Sequence, residues 1–430
     1  MVVGAGSAGC VVAGRLAGVA GNEVVLIEAG PAPAPDADPT LQSFFDALAQ
    51  PGRSYPDLMA TRVAGQRPAR YQRGRGLGGS GAVNAMVSLH GGGYEAAHLL
   101  PEEPARPAEL GAVDRALLAA APDAIIAPLN RRDGRRVSTA DAYLRSAPGA
   151  DFGSGFPGRL DIVTETVVDY IEIATVGGAQ PKAVGVVTAT GDQIDADRVV
   201  VCAGAIHTPA ILLRSRIDVP GIGEGLMDHP SAPITLGLVP EAQADPGSLV
   251  LGTCVPRDPI QVLPMNHLGS AAPGYGLLLG ALMDVGSRGR VSLVDPDPLV
   301  HPRVEFNMLD DPADLAGMVR AVEAVLELLN HEAFTSIVSA AYIDEHGTTV
   351  AALRDRETIE RWIQSHVGDY VHAASSCPMG VVVDSQCRVV GHEALMVCDA
   401  SVFERIPEVN THLPVVMLAE TMVARWLQAG

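Results

Sequence analysis

Lysine is all but missing from this 430-residue chain: Lys182 stands alone, and arginine supplies every other fixed positive side chain. Basic residues are also outnumbered, giving a formal charge of −20. A surface of that sign repels nucleic acid and anionic lipid, so neither is expected as a partner. Aromatic residues make up only 4%, so the core has to be aliphatic, and a hydrophobic content of 47% allows that. Cysteine is sparse and scattered. Cys10, Cys202, Cys254, Cys377, Cys387 and Cys398 show no C-x-x-C spacing, which argues against a zinc site or a disulfide framework and for free thiols in a reducing cytoplasm. No uninterrupted apolar run reaches the roughly 18 residues of a membrane span. No charged-then-apolar leader precedes the first motif. A cytoplasmic protein without a membrane span is expected.

What is present is organised around glycine. Val2 to Glu28 reads as strand, turn, helix, strand. Gly4-Ala5-Gly6-Ser7-Ala8-Gly9 forms the turn, Cys10, Val11, Val12, Ala13 and Leu16 the apolar helix face, and Glu23–Glu28 a buried parallel strand. Met1-Val2-Val3 leaves little room for the opening strand, so either the natural start lies upstream or that strand is clipped. Ala32-Pro33-Ala34-Pro35-Asp36 interrupts regular structure. Leu160 to Val187 suggests two strands around Gly177-Gly178, and Arg198 to Gly204 another buried strand ending in glycine. Residues 231–370 mix strand-like runs such as Val291–Val294 with an amphipathic helix from Asp311 to Asn330, its start marked by Pro312 and Asp314. Dinucleotide-type signals lie at both ends of the chain. The expected architecture is therefore α/β, with one domain assembled from separated pieces and another inserted.

The first turn has a direct physical rationale. Gly4 permits the tight bend, Gly6 lets a pyrophosphate approach the backbone, and Gly9 lets helix and strand pack closely. The helix start at Ser7 and Ala8 then turns free N–H groups and a positive dipole end toward the phosphates. Glu28 ends the second strand, where an acid can hydrogen-bond a ribose hydroxyl. This pattern indicates a dinucleotide but does not separate FAD from NAD.

A second glycine-rich stretch, Arg73-Gly74-Arg75-Gly76-Leu77-Gly78-Gly79-Ser80-Gly81-Ala82-Val83-Asn84-Ala85-Met86, resembles the first signature of the glucose–methanol–choline oxidoreductases, a family that binds FAD. Ala203 to Leu213 resembles the second signature, although Ser215-Arg216-Ile217-Asp218 stands where the family usually has Ser-Gly-x-Gly. Gly225-Leu226-Met227-Asp228-His229-Pro230 is similar to the Asn-Leu-x-Asp-His segment, where Asp228 and His229 are read as structural. Tyr370-Val371-His372, Cys377–Gly380 and Val397–Val402 complete the pattern.

The resemblance implies a Rossmann-like FAD-binding domain assembled from discontinuous segments (1–90, 150–230 and 375–430). An α+β substrate domain built on an antiparallel sheet (231–374) is inserted, and residues 91–149 form a shortened connecting or lid segment. It also implies roles. His372 would be the base that removes a hydroxyl proton while hydride passes to flavin N5, and Asn410 would donate a hydrogen bond to the alkoxide. Asn410 could instead cap a turn or helix, and His412 competes for the catalytic place. Cofactor contacts are expected from Gly4, Gly6, Ser7, Ala8, Gly9, Glu28, Ala29, Arg75, Gly78, Gly79, Asn84, Ala85, Met86, Val168, Ala203, Asp399, Ala400, Asn410 and Thr411. Some relatives attach FAD through a histidine just before the signature asparagine. Val83 occupies that place here, which implies non-covalent FAD. His90, His98, His207, His301, His366 and His392 show no metal-ligand grouping and are taken as structural; no metal is expected.

The implied activity is oxidation of an alcohol to an aldehyde or ketone. Compact length and arginine bias are similar to the mycofactocin-associated branch. There the donor would be the redox cofactor mycofactocinol, and a quinone or the respiratory chain would replace oxygen as acceptor. An ordinary small-alcohol oxidase or dehydrogenase, a hydroxynitrile lyase with structural FAD, and an inactive flavin-binding protein are the alternatives.

Overall fold

The computed structural model describes residues 1–33, 43–93, 100–147, 149–175, 180–269 and 272–429. His98, the Ala34–Asp36 part of the proline-rich break, and Gly177-Gly178 lie outside these residues.

β-Branched runs with no polar alternation form a central parallel sheet in the order Arg159–Val163, Glu23–Ile27, Val2–Val3, Val199–Val201, Leu395–Val397. Both faces are covered, as such runs require. The opening strand is only two residues long, yet Val2 pairs with Leu26 on one side and Val200 on the other. Helix Ser7–Ala17 packs over this sheet and against the C-terminal helix His412–Ala429. Arg15 and Glu420 join the two helices by a paired ion bridge of 2.9 Å, and the Tyr143 hydroxyl donates to Glu420 at 2.6 Å. Widely separated parts of the chain thus build one layer.

A six-stranded antiparallel sheet forms the second body: Val338–Tyr342, Ser231–Leu238, Tyr275–Leu282, Ile260–Met265, Thr253–Arg257 and Ile125–Ile126. The amphipathic segment is a helix over Pro312–Leu329, with the Asp311 side chain capping it by accepting from the Ala313 N–H at 2.9 Å. It lies on the strand Tyr275–Leu282. The architecture is α/β with a Rossmann-like core and an inserted sheet-based body, as expected. Among the described residues no helix is long and apolar enough to cross a membrane.

Two local expectations change. The Leu160–Val187 region holds the two strands expected around Gly177-Gly178 and a third before them. Arg159–Val163 joins the parallel sheet, while Val168–Ala174 and Lys182–Thr188 form an antiparallel pair. The reversal between the first two runs through Glu165 at φ +55, a left-handed conformation that a glutamate gives no sequence sign of adopting. The run at Val291–Val294 is a strand over Gly289–Ser292. At the departure from Ser-Gly-x-Gly, Arg216 itself takes φ +56 where glycine would be the relaxed choice. The Ser215 hydroxyl accepts from the Ile171 N–H at 2.8 Å, so the turn is held despite the substitution.

Candidate active site

A cavity of about 620 Å³ opens where the ends of the parallel strands meet the antiparallel body. The strand-to-helix turn supplies one wall. A Cβ added to Gly6 would meet nothing within 4 Å, whereas one on Gly9 would lie 1.8 Å from the Gly4 carbonyl oxygen. The two glycines therefore serve opposite needs: Gly6 keeps space open, and Gly9 lets backbone touch backbone. Helix Ser7–Ala17 carries no side-chain cap and no acid in its first turn. Its unpaired N–H groups and positive end are left for an anion.

Glu28 sits at the end of its strand and ties three turns together. Its Oε2 accepts from the Ala5 N–H at 2.8 Å, and its Oε1 accepts from Gly30 at 2.8 Å and Gly76 at 2.9 Å. One lone pair on Oε2 is left for a ligand hydroxyl. Gly79, at φ +50, brings the second glycine-rich segment so close that a Cβ there would lie 2.8 Å from Gly6 Cα. Arg75 donates to the Ala29 carbonyl at 2.7 Å. Asn84 is held by Arg136, whose guanidinium donates to its side-chain oxygen at 2.8 Å and its carbonyl at 2.6 Å. Asp399 accepts from the Gly204 N–H at 2.8 Å, the Thr208 hydroxyl at 2.6 Å and the Ser401 N–H at 2.8 Å. Its carboxylate thus fixes the surrounding loops, and its place in the cavity wall is shared with Ala203 and Ala400.

Of the residues expected to touch a cofactor, all but Gly9 and Gly78 line this cavity, together with His372 and His412. Gly78 turns at φ +89 and donates to the Ala5 carbonyl at 2.8 Å, so it braces the first turn from behind. Val83 lines the cavity and is buried.

His372 lies in a cluster of its own. Its backbone N–H donates to Asp228 Oδ1 at 2.9 Å, the Tyr71 hydroxyl donates to Asp228 Oδ2 at 2.5 Å, and the Ala373 N–H donates back to the Tyr71 hydroxyl at 3.0 Å. This network fixes the main chain on which the imidazole is carried. The side chains of His372 and His229 meet Nδ1 to Nδ1 at 2.9 Å, with Tyr370 edge-on to His372, ring centroids 4.7 Å apart. Burial, then His229 and Arg73, holds His372 well below the usual imidazole range. Burial likewise lowers His229 to about 3. Both rings are neutral near pH 7, so one Nδ1 carries the hydrogen they share.

A free lone pair on His372 Nε2 requires His372 Nδ1–H to donate to His229. That puts the His229 hydrogen on Nε2. There it finds no well-formed hydrogen bond, although the main chain of Pro407 and Met283 flanks the ring and favours its N–H form. Asp228, pushed up to about 7 by burial and then by Asp369, completes the set. Ligand-type atoms of Asp228, His229 and His372 lie within 4.8 Å of one another, a grouping not apparent along the sequence. Their hydrogen bonds, to one another and to Tyr71, engage these atoms.

Asn410 and His412 separate in space. The Asn410 side-chain oxygen accepts from Gln261 Nε2 at 3.3 Å, and Gln261 Oε1 accepts from the Tyr370 hydroxyl at 2.6 Å. This chain orients the amide and leaves its NH2 as the donating end. His412 begins the C-terminal helix and shares a 2.9 Å hydrogen bond between its Nδ1 and Ser7 Oγ. A Cβ on Gly81 would lie 2.5 Å from its Cε1. His412 thus belongs to the dinucleotide turns, its buried Nε2 has no protein partner, and burial lowers it to about 4. Tyr370 was placed in a motif without being given a role, and Gln261 escaped the sequence reading. Gln261 is a lone polar residue in an apolar strand, which is a weak signal at best.

Two family models described as GMC oxidoreductase match residues 122–231 and 285–419, together more than half of the chain. The chain is 28% identical to a 5-(hydroxymethyl)furfural oxidase of Methylovorus sp., across 98% of this chain and 97% of that protein. It is also 28% identical to an oxygen-dependent choline dehydrogenase of Paraburkholderia phytofirmans, across 99% and 93%. These alignments run to 530 and 544 positions against 430 residues, so both relatives carry segments that this chain lacks. Among solved structures, pyridoxine 4-oxidase from Mesorbium loti superposes with a TM-score of 0.83 at 23% identity, covering 99% of this chain and 98% of that one. A formate oxidase of Aspergillus oryzae gives 0.82 at 19% identity, covering 98% and 97%. At those identities the likeness is one of fold.

Proposed function

This chain belongs to the GMC oxidoreductases, and on that footing we propose that it holds FAD without a covalent link and oxidises an alcohol to the aldehyde or ketone. The site fits the cofactor on three counts: the open space beside Gly6, the uncapped helix start at Ser7, and the unpartnered Nε2 of His412. The pyrophosphate would rest on Gly6, Ser7 and Ala8, a ribose hydroxyl on Glu28, and the flavin end against Asn84, Ala85 and Met86. FAD, when bound, supplies the acceptor for the hydride leaving the carbinol carbon.

The protein's own groups do the rest. His372 Nε2 takes the hydroxyl proton, and the Asn410 NH2 donates to the oxygen as negative charge develops there. His229 accepts from His372 Nδ1 and keeps the other ring nitrogen free. Apolar walls exclude water from the reacting carbon. The observation that carries this reading is the 2.9 Å contact by which buried His229 backs His372, a residue lining the same cavity as the dinucleotide turn.

The test is anaerobic mixing of the yellow holoprotein with alcohols while flavin absorbance is followed. Bleaching is expected, and His372→Ala should slow it by about 10²–10⁴. An unchanged rate in that variant removes His372 from the reaction. Cyanohydrin cleavage without bleaching would instead identify a lyase. Acid precipitation should leave the chromophore in solution, as Val83 offers no nucleophile.

A body of 1–90, 150–230 and 375–430 for the cofactor, 231–374 for the substrate and 91–149 as connection is supported by the two sheets. The Ile125–Ile126 strand and the Arg136–Asn84 contact tie the connection to both. A cytoplasmic location is supported by six buried, unpaired thiols. The mycofactocin-associated branch, with mycofactocinol as donor and a quinone or respiratory chain as acceptor, is supported by chain length and arginine bias. Turnover with a soluble quinone in the absence of oxygen tests it.

A further inference from the structure

The substrate side of the cavity is built by one strand pair. Along Ile260–Met265, side chains two residues apart share a face, and Gln261, Leu263 and Met265 share one. Gln261 reaches Asn410, whereas Leu263 and Met265 line the cavity further along. Leu263 is opposite Leu279 in the antiparallel register, and Leu279 lines the cavity too. Leu251 adds to this wall, and Met86 and Val87 belong to the same buried apolar cluster as Tyr370. At about 3.4 Å per residue the wall extends roughly 14 Å from Gln261 to Met265. Polar chemistry stands at one end and apolar surface runs away from it.

The carboxylates elsewhere in the cavity are already engaged. Glu28 accepts three backbone N–H groups, Asp399 accepts from Gly204, Thr208 and Ser401, and Asp369 is paired with Arg62 at 2.7 Å. Arg214 is paired with Asp169 at 2.9 Å. Arg73, which donates to the Val371 carbonyl at 2.6 Å, is a cation close enough to His372 to lower its proton affinity. A positively charged substrate would lose its hydration, meet no uncompensated carboxylate, and face Arg73.

Resting on the alcohol-oxidising reading above, we propose that the substrate is an uncharged alcohol with an apolar alkyl or aryl body. Its hydroxyl lies between His372 and Asn410, and its body lies along Leu263, Leu279 and Met265. Quaternary ammonium alcohols are disfavoured by this wall and by Arg73.

The experiment compares choline with its uncharged isostere, in which a tert-butyl group replaces trimethylammonium, by anaerobic bleaching of the holoprotein. The isostere is expected to react faster by about tenfold or more. Straight-chain primary alcohols from propanol to hexanol should gain up to roughly fourfold in kcat/KM per methylene. Met265→Glu, judged folded by its FAD content, should narrow or reverse the preference against choline. Choline reacting as fast as its isostere would overturn the proposal. So would a Met265→Glu protein that keeps its FAD and leaves the choline-to-isostere ratio unchanged, because the wall would then not meet the body of the substrate. Absence of bleaching by every alcohol in a protein carrying FAD defeats alcohol oxidation itself, and is thereby told apart from a wrong substrate class.

Discussion

The imidazole of His372 is kept neutral by its surroundings: burial first, then the neighbouring His229 and Arg73, all lower its proton affinity. A base of this kind is already in its working form at pH 6.5. The acid limb of kcat/KM for an alcohol is therefore expected below pH 6.5, and a pH–rate profile checks it. A limb above that pH would mean another group controls the reaction. Tyr370 acts at one remove. Its hydroxyl donates to Gln261, which fixes the Asn410 amide, while its ring packs edge-on against His372. Tyr370→Phe keeps the ring and removes only the hydroxyl. We expect kcat to fall by about tenfold with KM little changed, because a misaligned donor harms the transition state more than binding. Equal losses in kcat and FAD content would instead mark a structural role.

Short elements divide the labour between shape and contact, and the glycines of the first turn separate the two. Gly6→Val places its side chain in open cavity at an ordinary extended backbone. The apo protein should melt as before and bind FAD at least about tenfold more weakly. Gly9→Ala drives a methyl into the Gly4 carbonyl and should cost about 2–3 kcal/mol of stability before any ligand is added. Paired melts with and without FAD read both outcomes.

These glycines and Glu28 were legible in the sequence because each sits in a short motif whose spacing is the geometry, whereas His372 was named only through the family resemblance. Gln261 was not legible, since its partner Asn410 is 149 positions away and nothing local records the pairing. The same holds for Tyr71 with Asp228 and Arg136 with Asn84. The extra strand at Arg159–Val163 was hidden for a different reason, a left-handed turn at a glutamate.

At the scale of the whole molecule, buried neutral histidines set the response to acid. Burial lowers His207 and His229 to about 3 and His412 to about 4, and His372 well below its usual range. These bases have folded values below their unfolded value near 6.5, so the unfolded chain takes up protons first. Their contribution is intact above pH 6.5 and declines as pH falls toward the folded values, by roughly 1.4 kcal/mol per group per pH unit. Asp228 works in the opposite sense: raised to about 7, it binds its proton in the fold first and offsets one histidine. The melting temperature of the apo protein should drop by about 4 °C between pH 7.5 and 5.5. His207→Leu should flatten that slope if the fold tolerates it, and an unchanged slope would remove His207 from the account.

One further consequence follows from the cavity wall drawing on residues 4, 6 to 8, 74, 75, 79 to 81, 83 to 86, 203, 399 and 410 to 412. A chain leaving the ribosome at about 5–20 residues per second needs tens of seconds to release them all. Until the helix His412–Ala429 emerges, the side of Ser7–Ala17 that packs on it is uncovered, and no complete dinucleotide cradle exists. Cofactor loading is thus a post-translational event, and a cell producing this protein must shelter a long, aliphatic, cofactor-free nascent chain.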